Sequence, residues 1–288
     1  MAALVEERRS QICLGLDPDP AQLAGEGEMA AGPGVLAAEL AAAAVVTHCR
    51  SLIEQAGPAC VAAKPQLACF ERLGAPGWAA LAEVCAAAGE AGLLVIADGK
   101  RGDVPVTAAA YAQALVGETP TPWGPVAGLG ADAFTANPLL GRDALEPLVS
   151  AAVETGAGVF ALVRTSNPGA ADVQDLPAPE QPLHERLAEL VDGLAPRLQG
   201  SSGLSGMGAV VGATEPQHLA RMRELMPSSI FLIPGVGAQG GKPELLGAAF
   251  GPGRAAALVA ASRGIAADPD PAAAAERLRA AVWDISTI

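Results

Sequence analysis

The sequence predicts a single-domain α/β protein with the (β/α)8, or TIM-barrel, architecture. Three observations predict it. At 288 residues the chain is long enough for one large domain around a single buried core. Short apolar runs alternate with longer helical patterns from one end to the other. Most of those runs are continuously apolar rather than alternating, as parallel strands covered on both faces require. No shift in composition marks a boundary, so residues 1–288 read as one domain, and the βα unit is its only repeat.

Taken in order, strand one is expected at Ile12–Leu16, followed by a Gly/Pro-rich loop over Asp17–Gly34 and an Ala-rich helix over Val35–Gln55. Strand two is expected at Cys60–Lys64 with its helix at Trp78–Gly89, and strand three at Leu93–Ala97 with its helix at Val106–Val116. A second long loop, Glu118–Gly130, leads into strand four at Asp132–Ala136 and the helix Arg142–Glu154. Strand five, Val159–Val163, is followed by the polar segment Ser166–Pro182 and the helix Leu183–Leu198. The loop Gly200–Gly208 precedes strand six at Ala209–Gly212 and the helix Pro216–Met226. Strand seven, Ile230–Ile233, has a short helical candidate at Lys242–Phe250; strand eight, Ala256–Ala260, has the final helix at Pro271–Val282. Eight such pairs match the barrel, although alternation alone would also suit an open doubly wound sheet. In a barrel, the loops after strands one and five lie on the face where βα loops build sites. Glu118–Gly130 and Gly200–Gly208 precede strands and fall on the opposite face.

Composition narrows the function. Aromatic residues are only 3%, so the core must be built from Ala, Leu, Val and Ile. The opening MAALVEERRSQ is charged and leads into no apolar stretch, and even the run Val35–Val46 carries Glu39, so neither a secretory signal nor a membrane span is expected and a cytoplasmic protein is. A net charge of −13 argues against a nucleic-acid partner, whereas one phosphate needs only a local cradle of N–H groups and one cation. Cys13, Cys49, Cys60, Cys69 and Cys85 lack CxxC spacing and read as reduced thiols; His48, His184 and His218 fall in helical patterns without ligand spacing, so no metal or other cofactor is expected. Against fifteen arginines stand only three lysines, Lys64, Lys100 and Lys242, and two of them end strand-like runs.

The densest charge follows strand three, in Asp98-Gly99-Lys100-Arg101-Gly102-Asp103. Asp98 and Lys100, two apart on an extended backbone, project to one side, and an ammonium held between carboxylates stays protonated, ready to donate a proton or stabilise an anion. The plainer alternative is a solvated loop with a helix N-cap at Asp103. Asp17 ends strand one and Lys64 ends strand two, and in a barrel these strand ends converge on one pocket. Strand seven runs into Pro234-Gly235-Val236-Gly237-Ala238-Gln239-Gly240-Gly241, a GxGxxG pattern. A dinucleotide site would need an acid about 20 residues on. Here Ser262-Arg263-Gly264 offers a cation instead, which suits a monophosphate. Arg164-Thr165-Ser166-Asn167-Pro168-Gly169 reads as a polar turn.

Together, DGKRGD followed by Thr107, KPQLACFE, RTSNPG, PGVGAQGG and ASRGI, in their order from Gly15 to Gly264, resemble the orotidine 5′-phosphate decarboxylase family, with the spacing of its longer bacterial subgroup, type 2. The resemblance implies decarboxylation of orotidine 5′-monophosphate (OMP) to UMP without a cofactor. It implies Lys100 as proton donor to C6 within an Asp98–Lys100–Asp103 array, with Asp103 and Thr107 completing the neighbouring site of a homodimer. It further implies Asp17 and Lys64 on the ribose hydroxyls, Ser166 on the pyrimidine, Gln239 bridging base and phosphate, Arg263 on the phosphate, and Pro234 and Ser262 beside the substrate. Two rivals differ at named positions. Mg²⁺-dependent sugar-phosphate decarboxylases of the same superfamily place a metal-binding Glu where this chain has Lys64, and a catalytically inactive UMP-binding barrel has no need of Lys100.

Overall fold

The continuously apolar runs become the eight parallel strands of a closed barrel: β1 (Ile12–Leu16), β2 (Ala62–Pro65), β3 (Leu94–Arg101), β4 (Ala133–Ala136), β5 (Gly158–Arg164), β6 (Ser205–Val211), β7 (Ser229–Ile233) and β8 (Ala257–Ala261). Closure is made by β1 on β8, with Ile12 opposite Val259 and Leu14 opposite Ala261, so no edge is left exposed and the open-sheet alternative is set aside. The structure is a computed structural model and describes residues 1–23, 36–177 and 180–286. The part of the expected Asp17–Gly34 loop from 24 onward, the first residue of the expected helix at Val35 and residues 178–179 of the Ser166–Pro182 segment lie outside the described residues.

Helices wrap the barrel: α1 (Ala2–Arg8), α2 (Ala37–Ala56), α3 (Leu67–Glu71), α4 (Ala75–Glu90), α5 (Pro105–Leu115), α6 (Arg142–Thr155), α7 (Ala171–Gln174), α8 (Leu183–Asp192), α9 (Gln217–Leu225), α10 (Arg263–Ala266) and α11 (Pro271–Ile285). One core layer lies between strands and helices, where Val45, Leu52, Leu81 and Leu148 pack against Leu14, Ala63 and Val159. A second fills the barrel with Cys13, Ala62, Ile96, Phe160, Leu232 and Leu258. Aliphatic side chains make most of both layers, yet Phe70, Phe134, Phe231 and Phe250 are the largest side chains fully buried, and with Phe160 they put every phenylalanine in the core while Trp78 and Trp123 are exposed.

Several boundaries differ from expectation for local reasons. Gly200–Gly208 is not all loop, because β6 starts at Ser205, whose N–H donates to Ser228 O at 2.8 Å. Within Glu118–Gly130, Glu118–Thr119 and Val126–Ala127 pair as an antiparallel hairpin around a turn closed by Thr121 Oγ1 donating to Gly124 O at 2.6 Å. The expected helix Lys242–Phe250 is two 3-10 turns, Pro243–Leu245 and Gly247–Phe250, and Leu183–Leu198 splits into α8 and a 3-10 turn at Ala195–Leu198. At the closed end of the barrel Arg223, buried on α9, donates to Met226 O, Ser229 O, Ala249 O and Ala256 O at 2.7–3.0 Å and lies 3.7 Å from the Phe231 ring centroid. It satisfies carbonyls where three segments meet.

Candidate functional site

Because all eight strands run parallel, their C-terminal ends share one mouth, and the charged strand ends converge there. Asp98, 5% exposed on β3, is the centre. Its Oδ2 accepts from Lys64 Nζ at 2.5 Å and Gln66 Nε2 at 3.1 Å; its Oδ1 accepts from Lys100 Nζ at 2.6 Å and Thr135 Oγ1 at 2.8 Å. Four donors fill the lone-pair positions of one carboxylate, so Asp98 serves as a fixed anion and not as a base. Burial pushes this carboxyl up, but the two ammonium groups of Lys64 and Lys100 outweigh it and hold the pKa down at about 2. Lys64 shows the complement: burial alone would lower it, whereas Asp98 and then Asp17 hold it above the ordinary lysine value.

The backbone at Lys100 is not the extended one expected. Its φ is +49°, a left-handed conformation that costs a non-glycine residue about 1–3 kcal/mol, and the register of β3 on β4 slips between Ala97 and Arg101. Lys100 N–H donates to Thr135 Oγ1 at 2.9 Å instead. This local twist carries the ammonium onto Asp98 while leaving the Lys100 side chain 44% exposed at the mouth.

Opposite the array, the turn after β7 is wound on itself. Gly237 N–H donates to Gly241 O at 2.9 Å and Gly241 N–H to Gly235 O at 2.9 Å. Gly235 sits at φ +98°, and a Cβ on Gly241 would lie 2.6 Å from Gly235 O, so the turn requires glycine at both places. Arg263, exposed at the start of α10, has no ion-pair partner among the described residues. Ser166 Oγ donates to Gln239 Oε1 at 2.9 Å, joining the loops after β5 and β7. The β5 loop is moored below by Arg164, 4% exposed, which pairs with Asp175 at 3.1 Å and with Glu215. Gln174 closes it by hydrogen bonds to the Thr165 N–H and hydroxyl, both 2.9 Å.

Between these walls lies a cavity of about 560 Å³, lined by Asp17, Lys64, Asp98, Lys100, Ser166, Pro234, Gln239, Ser262 and Arg263, with Leu162 and Val210 among its apolar lining residues. Its cations, Lys64, Lys100 and Arg263, outnumber its two carboxylates in a chain whose net charge is −13, so the mouth is built for an anion. Asp103 and Thr107 are not among the lining residues of this chain. Asp103 Oδ1 accepts from Val104 N–H at 2.7 Å, and the cap of α5 falls on Val104 instead of Asp103. Within one chain the array is therefore Lys64–Asp98–Lys100. Sequence reasoning assigned no role to Gln66, Thr135, Asn167 or Gln174; a lone hydroxyl in the apolar strand AFTA was the one signal that marked Thr135.

Fold and site together define a (β/α)8-barrel protein with a glycine-rich turn facing a Lys–Asp–Lys array centred on a buried carboxylate. Residues 10–278 match the model of the Orotidine 5′-phosphate decarboxylase / HUMPS family. Orotidine 5′-phosphate decarboxylase of Rhodopirellula baltica is 41% identical over 259 residues, covering 89% of this chain and 83% of the relative. The Deinococcus radiodurans enzyme of that name is 42% identical over 265 residues, covering 90% and 84%. Among solved structures, Leishmania donovani OMP decarboxylase superposes with a TM-score of 0.74 at 36% identity, covering 99% of this chain and 98% of that one. The chain belongs to the orotidine 5′-phosphate decarboxylase / HUMPS family.

Proposed function

We propose that the chain decarboxylates OMP to UMP and CO₂, the last step of de novo pyrimidine nucleotide synthesis, as an orotidine 5′-phosphate decarboxylase. The observation that carries this reading is the Asp98 carboxylate engaged by Lys64 on one oxygen and Lys100 on the other, across one cavity from Arg263 and the Gly235–Gly241 turn. The phosphate docks on Arg263 and that turn, the ribose hydroxyls on Asp17 and Lys64, and the pyrimidine on Ser166, Gln239 and Pro234, with Ser262 beside it. C6 then meets Lys100. The C6–carboxylate bond breaks, its electron pair stays on C6 in the ring plane where the π-system cannot spread it, and CO₂ departs. The Lys100 ammonium stabilises that charge and transfers a proton to C6; the amine recovers its proton from solvent. Binding energy from the phosphate end holds the loops closed over this step.

The active unit in this reading is a cytoplasmic homodimer in which Asp103 and Thr107 complete the neighbouring site. Support comes from their place at the exposed start of α5, where Val104 and Val106 are 55% and 85% exposed, with Leu139 and Leu140 exposed on the loop after β4. No helix among the described residues is long and apolar enough to cross a membrane. The Mg²⁺-dependent reading is disfavoured because the Lys64 ammonium already covers the Asp98 edge a divalent cation would use.

Incubating the purified protein with OMP and separating the nucleotides tests the reaction: UMP and CO₂ in equal amounts are expected. Tight UMP binding without turnover would replace it with a binding-only barrel, and Mg²⁺-dependent turnover of a sugar-phosphate acid would place the chain in the sister branch. Mixing Lys100→Ala with Asp103→Ala subunits tests the shared site. Activity that neither variant has alone is expected, and an inactive mixture contradicts it.

A further inference from the structure

Thr135 on β4 stands between the two halves of the charged array, and none of the roles above uses it. Its side chain is 1% exposed, so the hydroxyl has no water to turn to, and both its hydrogen-bonding capacities are satisfied inside. It accepts the Lys100 backbone N–H at 2.9 Å and donates to Asp98 Oδ1 at 2.8 Å, the same oxygen that receives Lys100 Nζ at 2.6 Å. A closed circuit therefore runs from the Lys100 backbone through Thr135 and Asp98 to the Lys100 ammonium.

The circuit sits where the backbone is least able to hold itself. Lys100 and Arg9 are the described residues other than glycine with positive φ, and across the slip between Ala97 and Arg101 Thr135 Oγ1 is the acceptor for the Lys100 N–H. Two attachments, one at the backbone and one through the carboxylate, fix where the ammonium emerges at the mouth. We propose that Thr135 is a positioning residue for Lys100, holding its left-handed backbone and its counter-ion in one geometry. This rests on the reading of Lys100 as the proton donor.

Thr135→Val keeps the volume and removes both bonds; Thr135→Ser keeps the hydroxyl. Misplacing a reacting group by about 1 Å costs on the order of 100-fold, so Thr135→Val is expected to lower kcat about 10- to 100-fold while KM and UMP affinity stay within about twofold, and Thr135→Ser is expected to restore most of kcat. The second readout is independent of turnover. The chain has three lysines, so lysine labelled with ¹³C at Cε gives three side-chain signals, and the one missing from Lys100→Ala is that of Lys100. That signal is expected to move toward the position of unstructured lysine in Thr135→Val and to stay in Thr135→Ser, with Lys242 unmoved in both. Thr135→Ala repeats the comparison if the valine does not fold. A Thr135→Val protein with native kcat and an unmoved Lys100 signal overturns the proposal, as does an equal loss in the valine and serine variants, which would mark packing alone. If the wild type fails to decarboxylate OMP the functional reading falls, and the lysine spectrum still decides whether Thr135 holds Lys100.

Discussion

Replacing Asp98 with asparagine separates charge from shape at the centre of the site. The carboxamide would fill the same space, but its nitrogen would face two of the four donors, and Lys64, 8% exposed, would lose the carboxylate 2.5 Å from its Nζ. Removing one partner of a buried pair costs about 3–5 kcal/mol, because the remaining charge stays buried without compensation. For a chain of this size that corresponds to a fall in Tm of about 5–15 °C. Part of the cost is pH-dependent with a definite sign. The folded carboxyl titrates at about 2, below its ordinary value of 3.8, so the unfolded state takes up the proton first. The ion pair's contribution, roughly 2 kcal/mol, is complete above about pH 5 and is lost as pH falls through the folded value. Urea denaturation of wild type and Asp98→Asn from pH 7 down to pH 2.5 reads it. The stability gap is expected to be widest at neutral pH and to narrow below pH 4. Equal stability at pH 7, or a gap that does not change with pH, would refute the argument.

Other positions separate binding, stability and reactivity. Arg263→Ala removes the cation that lacks an ion-pair partner among the described residues; charge-assisted bonds contribute about 1.5–3 kcal/mol, so KM for OMP should rise roughly 10- to 100-fold in steady-state assays. Arg223→Met leaves the carbonyls of Met226, Ser229, Ala249 and Ala256 without their donor. Stability should fall by about 3–5 kcal/mol in chemical denaturation, with kcat of the folded protein unchanged because Arg223 lies away from the mouth. Burial pushes the Cys13 and Cys85 thiols up to about 12 and Cys60 higher still, while Cys69 is half-buried. A thiol reagent at pH 8 should therefore modify Cys69 alone in the native protein and reach the other four only on unfolding.

The strands were legible in the sequence because a parallel strand covered on both faces must be apolar throughout, and Ile12–Leu16 matches its expectation residue for residue. Convergence of Asp17, Lys64, Asp98 and Lys100 was legible for the same reason: strand ends in a closed parallel barrel have one place to meet. The twist at Lys100 was not. Its left-handed backbone is sustained by Thr135, which lies 35 residues away in sequence, and no local pattern encodes such a partner. Gln66 and Gln174 escaped notice likewise, as their amides matter only through the groups they meet, Asp98 on the adjacent strand and Thr165 in the same loop. The Glu118–Ala127 hairpin was hidden because strands two residues long show no periodicity, and PTPWGP reads as turn throughout. Asp103, which spacing groups with Lys100 and the resemblance assigns to the neighbouring site, precedes α5 and does not line this chain's own cavity.

The proposed reaction depends on a Lys100 ammonium fixed on Asp98 and on a nucleotide held by Arg263 and the glycine turn. Loss of OMP absorbance on adding purified protein in EDTA, beside Lys100→Ala at equal concentration, tests it most directly. EDTA-resistant turnover by the wild type is expected, with none above background in Lys100→Ala and UMP binding by both. Wild-type protein that binds UMP without consuming OMP would rule out the reaction, and a Lys100→Ala variant that consumes it at the native rate would rule out Lys100 as its proton donor.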